Sequence, residues 1–349
     1  MFYIHHKSCI SPQQTFAAIN MELLNDTTDN KLRAIEPSYE SIPSGILRRM
    51  GKAVRMGVGA ALPLIRNNTE PISGIIIGTA NGGMEDCIKF LNQIIDYDEG
   101  MLTPGNFVQS TPNAIAAQLG LLSNNRGYNI THVHRGLSFE NAMLDAVMML
   151  KEYPGNNYLL GGVDEISSYN YNIEWLGGWY KKEPVSVNQL YETNSAGSIA
   201  GEGAAMFLVN ATQSNALAAV KDIRILHTSD ENIIAGQLKS FIDKNITQSE
   251  KIDLLLTGEN GDNRLSKYYD AVENLIGNSI SIARFKHMTG EYTSASAIAV
   301  WLACHMITGQ SIPKHMLKYE VKQQPCKRIL IYNNYKGHQH SFILIDKAD

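Results

Sequence analysis

Few side chains in this sequence are placed for nucleophilic chemistry. Ser138 stands where a tight turn leads into a long helix, and His134 precedes it by four residues. A serine attacks at neutral pH only when a base lies within hydrogen-bond reach. One hypothesis is therefore an acyltransferase, a thioesterase or an atypical condensing enzyme that uses Ser138, with His134 or Glu291 as the base. We favour the other interpretation, in which Ser138 is a first-turn helix residue that satisfies backbone donors.

A lysine and a glutamate form the second group with chemical potential. Lys286 and Glu291 are five residues apart, and Gly290 lies between them. We expect Glu291 in the first turn of the following helix, because a carboxylate interacts favourably with the helix dipole there. We also expect it to pair with Lys286.

The cysteines and histidines give no sign of a metal site. The four cysteines lie far apart without CxxC spacing: Cys9, Cys87, Cys304 and Cys326. We therefore expect reduced thiols in a cytoplasmic protein, with no disulfide framework, metal or other cofactor. The ten histidines form no HExxH pattern. We expect His5–His6 and His338–His340 to be solvated or turn residues, not metal ligands.

The composition is that of an ordinary globular protein, with 44% hydrophobic and 18% charged residues. The 30 basic and 34 acidic side chains give a net charge of −4 without a long run of either sign, so we expect no nucleic-acid partner. The longest mainly apolar stretch, Ala295–Met306, contains Ser296 and His305. A bilayer requires about 20 apolar residues. This stretch therefore predicts a buried core helix and no membrane insertion.

Short β-branched runs alternate with helical patterns, which predicts an α/β protein with partly parallel, buried strands. The predicted strands are Gly74–Ile77, Tyr158–Leu160, Ala204–Val209, Leu254–Leu256, Ile280–Ala283, Ile329–Tyr332 and Phe342–Ile345. The predicted helices are Leu47–Ile65, Met84–Tyr97, Ala114–Leu121, Phe139–Lys151, Ser266–Ile276 and Ser294–Thr308. The unit strand–Gly-rich turn–helix occurs in SGIIIGTANGG (73–83) and again in DLLLTGENGD (253–262). This repetition predicts two halves of like topology, residues 1–213 and 214–349.

Several segments resemble the thiolase-fold β-ketoacyl synthases. In VHRGLSFENAMLDAVMML (133–150), alanines stand six and ten residues after Gly136, and the strand LLGGVDE (159–165) follows, as in the family's nucleophile turn. Further resemblance lies in the segments FVQSTPNAIAAQLGL (107–121), AGEGAAMFLV (200–209), LLLTGENGD (254–262) and KHMTGEYTSASA (286–297). The resemblance covers nearly the whole chain and implies a five-layer αβαβα fold with two similar halves.

The resemblance also implies which residues stand at the family's catalytic positions. Gly136 matches the nucleophilic cysteine, and Lys286 matches the family's lysine. Thr257 and Glu291 match the two histidines that stabilise the enolate of a decarboxylating thioester. A glycine tolerates a strained backbone at the nucleophile turn, so the turn can persist without the thiol. Since a carboxylate at 291 repels developing negative charge, none of the three substituted positions performs the expected chemistry.

Within this family the chain is most similar to the ketosynthase-like chain-length-factor subunits of type II polyketide, aryl-polyene and flexirubin-type pathways. The family's glycine-rich gating loop corresponds to NNYKGHQHS (333–341), which retains only Gly337 of that pattern. The resemblance implies a heterodimer with an active β-ketoacyl synthase, which an acyl carrier protein reaches through the complex. The chain is then expected to shape the acyl tunnel in polyketide or fatty-acid-like polyene biosynthesis.

Two surface features leave alternatives open. The basic run LRRMGKAVR (47–55) is either a solvated helix face or a face that docks an acidic carrier protein, as in a stand-alone acyl-binding module. The aromatic cluster Trp175, Trp179 and Tyr180 is typical of packing and also of an oligomer interface.

Overall fold

The computed structural model describes residues 1–321 and 325–348. Its strands are β1 (Phe2–Ile10), β2 (Lys31–Leu32), β3 (Gly74–Gly78), β4 (Tyr128–His132), β5 (Tyr158–Asp164), β6 (Ala200–Gly201), β7 (Gly203–Asn210), β8 (Ala218–His227), β9 (Leu254–Thr257), β10 (Ser281–Arg284), β11 (Leu317–Tyr319), β12 (Arg328–Tyr335) and β13 (Gln339–Lys347). Its helices are α1 (Ser44–Leu47), α2 (Lys52–Asn67), α3 (Met84–Asp96), α4 (Pro104–Gln109), α5 (Ala114–Ser123), α6 (Ser138–Glu152), α7 (Ser168–Leu176), α8 (Glu231–Asn245), α9 (Ser266–Ile276), α10 (Lys286–Thr289) and α11 (Ser296–Ile307).

In the described part of the chain, eleven strands form one sheet in which the same arrangement occurs twice. In the first half, β4, β3 and β5 run parallel, and β7 and β1 continue the sheet antiparallel. In the second half, β10, β9 and β12 run parallel, and β13 and β8 continue antiparallel. The halves meet where β1 pairs with β8. The prediction of two similar halves is confirmed, whereas the boundary at residue 213 stays a prediction.

Side chains that alternate along the strands define five layers. Ile76 of β3 and Leu256 of β9 belong to a central core that also contains α6 and α11. Ile75, next to Ile76, faces the opposite way into a core with α2 and α5, and Leu255 faces a core with α8 and α9. The order is therefore helices, strands, helices, strands, helices, as the fold resemblance implied.

The central layer explains why the longest apolar stretch is a core helix. All twelve residues of α11 are buried, including Trp301. A helix that is apolar on every side must be covered on every side. The strands of both halves provide that cover, so the prediction of a buried core helix is confirmed. No helix in the described part of the chain is long and apolar enough to cross a membrane.

The predicted strands are all present, but one predicted helix is wrong. The span Leu47–Ile65 is divided, because α1 ends at Leu47 and α2 begins at Lys52. Gly51 between them is extended, with ψ at 166°. A Cβ on Gly51 would lie 1.9 Å from Oδ2 of Asp86, so a side chain there would require the Asp86 side chain of α3 to move. Sequence patterns also missed β8 and α8.

Candidate functional site

The turn at Gly136 connects the end of β4 to the start of α6. A single turn of 3-10 helix, Arg135–Leu137, makes this connection. The predicted strain at Gly136 is wrong, because the left-handed φ of 51° belongs to Arg135. Glycine is required for another reason. A Cβ on Gly136 would lie 2.2 Å from Cβ of Tyr335, so the turn has no space for a side chain.

The backbone donor of this turn is also engaged. Gly136 N–H donates to Oε1 of Gln339 at 2.9 Å, and the Gln339 amide donates to the carbonyl of His134 at 3.3 Å. Tyr335 and Gln339 are register partners at the end of the β12–β13 hairpin. The hairpin therefore fills the space above Gly136 and satisfies its N–H group.

Ser138 is the first residue of α6 and is fully buried. Its Oγ accepts a hydrogen bond from His134 N–H and donates one to the carbonyl of Arg135, both at 2.8 Å. In the described part of the chain, neither an imidazole nor a carboxylate is hydrogen-bonded to Ser138. This geometry is that of a residue that satisfies the backbone of its own turn.

Lys286 and the half-buried Glu291 form an ion pair, with Nζ 2.7 Å from Oε1. Lys286 is fully buried, and Oε2 of Glu291 accepts a hydrogen bond from the Asn260 amide at 2.7 Å. The predicted pairing is confirmed. The predicted helical position of Glu291 is wrong, because α11 begins only at Ser296 and Glu291 instead bridges Ala200 in parallel.

Thr257 ends β9 between two parallel neighbours, with Arg284 and Tyr332 as its register partners. It is fully buried, and its hydroxyl has no hydrogen-bond partner among the described residues. Thr257 does not line the cavity that contains Glu291. Of the three positions predicted to match the family's catalytic residues, only Glu291 therefore lines this cavity.

An inner cavity and an outer pocket both border the hairpin, because Tyr335 and Lys336 belong to the lining of each. The inner cavity is lined by residues of both halves, including Glu165, Tyr180 and Glu291, and has a volume of about 40 Å³. That volume holds a few water molecules, whereas sites for drug-sized ligands need about 300 Å³ or more. The outer pocket has a volume of about 810 Å³ and includes His134 and Arg135.

The inner cavity and the outer pocket share part of their lining. Tyr335, Lys336 and Glu174 line both of them, and Lys336 forms an ion pair with Glu174 of α7. Trp179 and Tyr180 of the predicted aromatic cluster line the inner cavity. Trp175 is not part of that lining and packs against the Lys182 ammonium, 3.5 Å from the ring centre. The cluster thus divides between cavity lining and surface.

Burial affects the ionisation of Glu165, one of the carboxyl groups that line the inner cavity. Glu165 is buried, and desolvation raises its pKa to about 7. A hydrogen bond from Ala53 N–H to Oε2, at 3.0 Å, acts in the opposite direction. Oε1 has no partner among the described residues. The buried Glu165 carboxyl therefore binds its proton more tightly than an exposed glutamate does.

Asp164 organises the site, and the sequence analysis did not single it out. Its Oδ1 accepts hydrogen bonds from the Thr79 hydroxyl and from two backbone N–H groups, at 2.7–3.0 Å. Its Oδ2 accepts from Thr293 and Ser294 at 2.5 and 2.9 Å. One buried carboxylate thus connects the turn after β3 with the turn before α11. The acidic residues at the end of LLGGVDE (159–165) were the feature of the sequence that could have indicated Asp164.

The cysteines and histidines have structural surroundings. Burial raises the pKa values of Cys9 and Cys304 to about 12, which suppresses their thiolate forms. The prediction that His340 is a solvated or turn residue is wrong. His340 is buried against Tyr332, and desolvation lowers its pKa to about 4. Among residues 1–321 and 325–348, no three His, Cys, Asp or Glu side chains are grouped for a metal ion.

The basic run does not form one helix face. Arg48 and Arg49 lie between α1 and α2, on the surface. Lys52 pairs with the buried Glu202, and Arg55 pairs with Glu36 at 3.0 Å. Two of the four cations are therefore neutralised within the chain.

Comparisons with known proteins agree with this architecture. Residues 25–187 match the family model described as the β-ketoacyl synthase N-terminal domain. Comparison with curated protein sequences finds no significant match. The chain is similar to a β-ketoacyl synthase from Burkholderia phymatum STM815, with a TM-score of 0.78 and 13% identity over 100% of this chain and 99% of that chain.

Two further similar structures contain a chain length factor. The ishigamide ketosynthase/chain length factor has a TM-score of 0.75 and 13% identity, over 100% of this chain and 99% of that chain. The ketosynthase ApeO in complex with its chain length factor ApeC, from Xenorhabdus doucetiae, has a TM-score of 0.76 and 12% identity, over 99% of this chain and 98% of that chain. At these identities the similarity defines the fold. The chain has the thiolase-like ketosynthase fold, and the predicted resemblance to β-ketoacyl synthases is confirmed.

Proposed function

We propose that this chain is a non-catalytic ketosynthase-like subunit of the chain-length-factor type. It binds an active β-ketoacyl synthase and helps to shape the tunnel for the growing acyl chain. The observation that carries the proposal is the turn at Gly136, where a nucleophile is missing and Tyr335 occupies the space of a side chain. Without a thiolate, and with Glu291 held by Lys286, the chain lacks both attack and charge stabilisation.

An exposed strand edge supports a partner. β4 is at the end of the sheet order, and among the described strands it pairs only with β3. An uncovered edge offers unpaired N–H and C=O groups to another chain. The residues that follow β4, from Val133 to Arg135, line the outer pocket. A ketosynthase bound along β4 would therefore border that pocket, which is where this chain would contribute to a tunnel.

An apolar surface on the same half of the chain gives further support. We call it the α3–α4–α7 surface; its exposed apolar residues are Leu91, Ile95, Met101, Phe107, Val108, Tyr169, Ile173 and Leu176. Phe90 packs on Phe107 at 5.3 Å between ring centres, and the Asn92 amide donates to the Tyr169 hydroxyl at 3.0 Å. These contacts make the three helices one surface. Contiguous exposed apolar surface is typical of a protein interface.

The similar structures suggest the kinds of partner. Two of them combine a ketosynthase with a chain length factor. Another is an acyl-carrier protein in complex with its ketosynthase. By this likeness, an active ketosynthase is the direct partner, and an acyl carrier protein reaches the chain through the complex. Type II polyketide, aryl-polyene and flexirubin-type pathways are the proposed settings.

The test is co-expression with an active β-ketoacyl synthase from the same organism, followed by mass determination of the complex. We expect a one-to-one heterodimer that elongates acyl chains, with every trapped thioester on the partner. A matched preparation, in which the partner's nucleophilic cysteine is replaced, should form the same heterodimer and trap no thioester. A homodimer that takes up acyl groups by itself, and loses this activity on Ser138→Ala, would overturn the proposal.

A further inference from the structure

The β12–β13 hairpin occupies two features of the Gly136 turn at once. The first is space, because a Cβ on Gly136 would lie 2.2 Å from Cβ and 2.3 Å from Cγ of Tyr335. Ordinary contacts of a Cβ atom are 3.4–4 Å. A side chain at position 136 and the present Tyr335 position are therefore mutually exclusive.

The second feature is the backbone donor of Gly136. Gly136 N–H donates a hydrogen bond to Oε1 of Gln339, and the Gln339 amide donates another to the carbonyl of His134. A thioester carbonyl needs free, preorganised N–H donors if its oxygen is to carry negative charge. In this chain the donor is already bonded, so such an oxygen would have to displace Gln339.

The hairpin itself is held in place. Tyr335 and Gln339 are the last register pair of the β12–β13 ladder. Lys336, between them, pairs with Glu174 of α7, and the N–H of Gly337 donates to Oδ1 of Asn334 at 2.8 Å. Tyr335 therefore cannot leave the turn by a side-chain rotation alone, since its Cβ is part of the conflict.

We propose that Tyr335 and Gln339 form a plug that excludes acyl thioesters from this subunit's own site. Tyr335 occupies the volume that a nucleophilic side chain at position 136 would need, and Gln339 accepts the hydrogen bond from Gly136 N–H. This inference rests on the proposed function, because it accounts for acyl loading on the partner alone. It also states that restoring a thiol at position 136 is insufficient for reactivity unless Tyr335 is removed as well.

The test compares alkylation of an introduced thiol in the isolated full chain. The background carries Cys87→Ser, because Cys9, Cys304 and Cys326 have pKa values raised to about 12, 12 and 11 by burial and react slowly. Three variants are made in this background. They are Gly136→Cys, Gly136→Cys with Tyr335→Gly, and the control Gly136→Cys with Tyr335→Phe. The probe is iodoacetamide, whose carbon bonds to the thiolate sulfur as iodide leaves, and intact mass gives the rate.

We expect the variant with Tyr335→Gly to alkylate at least about tenfold faster than either of the others, because only there is the thiol accessible. Equal rates in all three folded variants would overturn the plug. If Gly136→Cys alone fails to fold while Tyr335→Gly restores folding, the outcome supports the plug, since overpacking is then relieved.

A second measurement needs no thiol and tests Gln339. Amide hydrogen exchange of the peptide covering 133–140 is compared for the natural chain, Gln339→Ala and Gln339→Glu. We expect faster exchange in Gln339→Ala only, because Glu retains an acceptor for Gly136 N–H. Unchanged exchange in Gln339→Ala would refute the role of Gln339. Both measurements use the isolated chain, so their failure is distinguishable from a failure to form the heterodimer.

Discussion

Asp164 and Ser294 are 130 residues apart in the chain, and a 2.9 Å hydrogen bond joins Ser294 N–H to Oδ2 of Asp164. The other carboxylate oxygen accepts from Thr79, Ala80 and Asn81. Two turns from opposite halves of the sheet are therefore fixed by one fully buried side chain. A charge-assisted hydrogen bond is stronger than a neutral one, and here five of them meet at one group.

The first prediction concerns this carboxylate. Asp164→Ala should lower the free energy of unfolding by about 3–5 kcal/mol, because it leaves several buried donors without acceptors. Asp164→Asn should cost less, since one oxygen remains. Urea denaturation measures both. The control is Asp243→Ala, which removes an exposed pair with Lys239 and should leave the free energy of unfolding nearly unchanged. A loss below about 1 kcal/mol for Asp164→Ala would contradict the assigned role.

The second prediction concerns the ion pair between the buried Lys286 and the half-buried Glu291. Lys286→Met should lower the free energy of unfolding by about 3 kcal/mol, because it leaves the Glu291 charge without its cation. Combining it with Glu291→Gln should recover at least half of the loss, because the charge is then gone and Asn260 keeps a partner. A double-mutant cycle in urea gives the coupling. Strictly additive losses would mean that the two side chains act independently.

The sequence predicted the architecture better than it predicted the site. Strands such as β3 and β9 are continuous apolar runs, which are readable without tertiary information. β8 was missed because the charged residues Lys221, Asp222 and Arg224 interrupt its apolar pattern. α8 was missed because only Ile234, Leu238 and Phe241 are buried along it. In both β8 and α8 the apolar residues are too few for a single sequence to distinguish the element from a loop.

The turn at Gly136 was visible in the sequence, but the residues that fill it were not. Gly136 stands in a recognisable strand–turn–helix segment, so its proposed match to the family's nucleophile position could be inferred from local spacing. Its contact with Gln339 spans 203 positions, and only the pairing of β12 with β13 brings that residue to the turn. The same holds for Asp164, whose partners in the second half depend on how the central layer packs.

The third prediction concerns pH and Glu165. Burial raises the folded-state pKa of Glu165 from 4.5 to about 7, so the folded protein binds this proton more tightly than the unfolded chain. The resulting contribution to stability is complete below pH 4.5 and is lost as the pH rises through about 7. Glu165→Gln removes this dependence and keeps an acceptor for Ala53 N–H. Between pH 4.5 and pH 8, the variant should gain up to about 3 kcal/mol relative to the natural chain.

Urea denaturation at pH 5, 6, 7 and 8 measures the difference between the two proteins. Because the two proteins are compared at each pH, the contributions of groups that titrate in both of them cancel. One such group is His340, whose lowered pKa changes the stability with pH in the direction opposite to Glu165. The comparison variant is Glu152→Gln, at the exposed end of α6. A pH-independent difference between Glu165→Gln and the natural chain would refute the assignment.

The last prediction concerns the α3–α4–α7 surface in the proposed heterodimer. Ile95 and Leu176 are 74% and 75% exposed, so a charge at either position should leave the isolated chain folded. If a ketosynthase covers this surface, Ile95→Glu or Leu176→Glu buries an unpaired carboxylate at the interface. Such burial costs several kcal/mol, and the dissociation constant should rise at least about tenfold.

The matched control is Ile233→Glu on α8, because Ile233 is also exposed, at 49%, but lies on the outer helix layer of the second half. It should leave the dissociation constant unchanged. Sedimentation of the purified complex at several concentrations measures all three variants, and thermal unfolding of each isolated chain tests its fold. If Ile233→Glu weakens the complex while Ile95→Glu does not, the partner binds the opposite half. The exposed edge of β4 would then face solvent in the complex, and the outer pocket beside it would not belong to a shared tunnel.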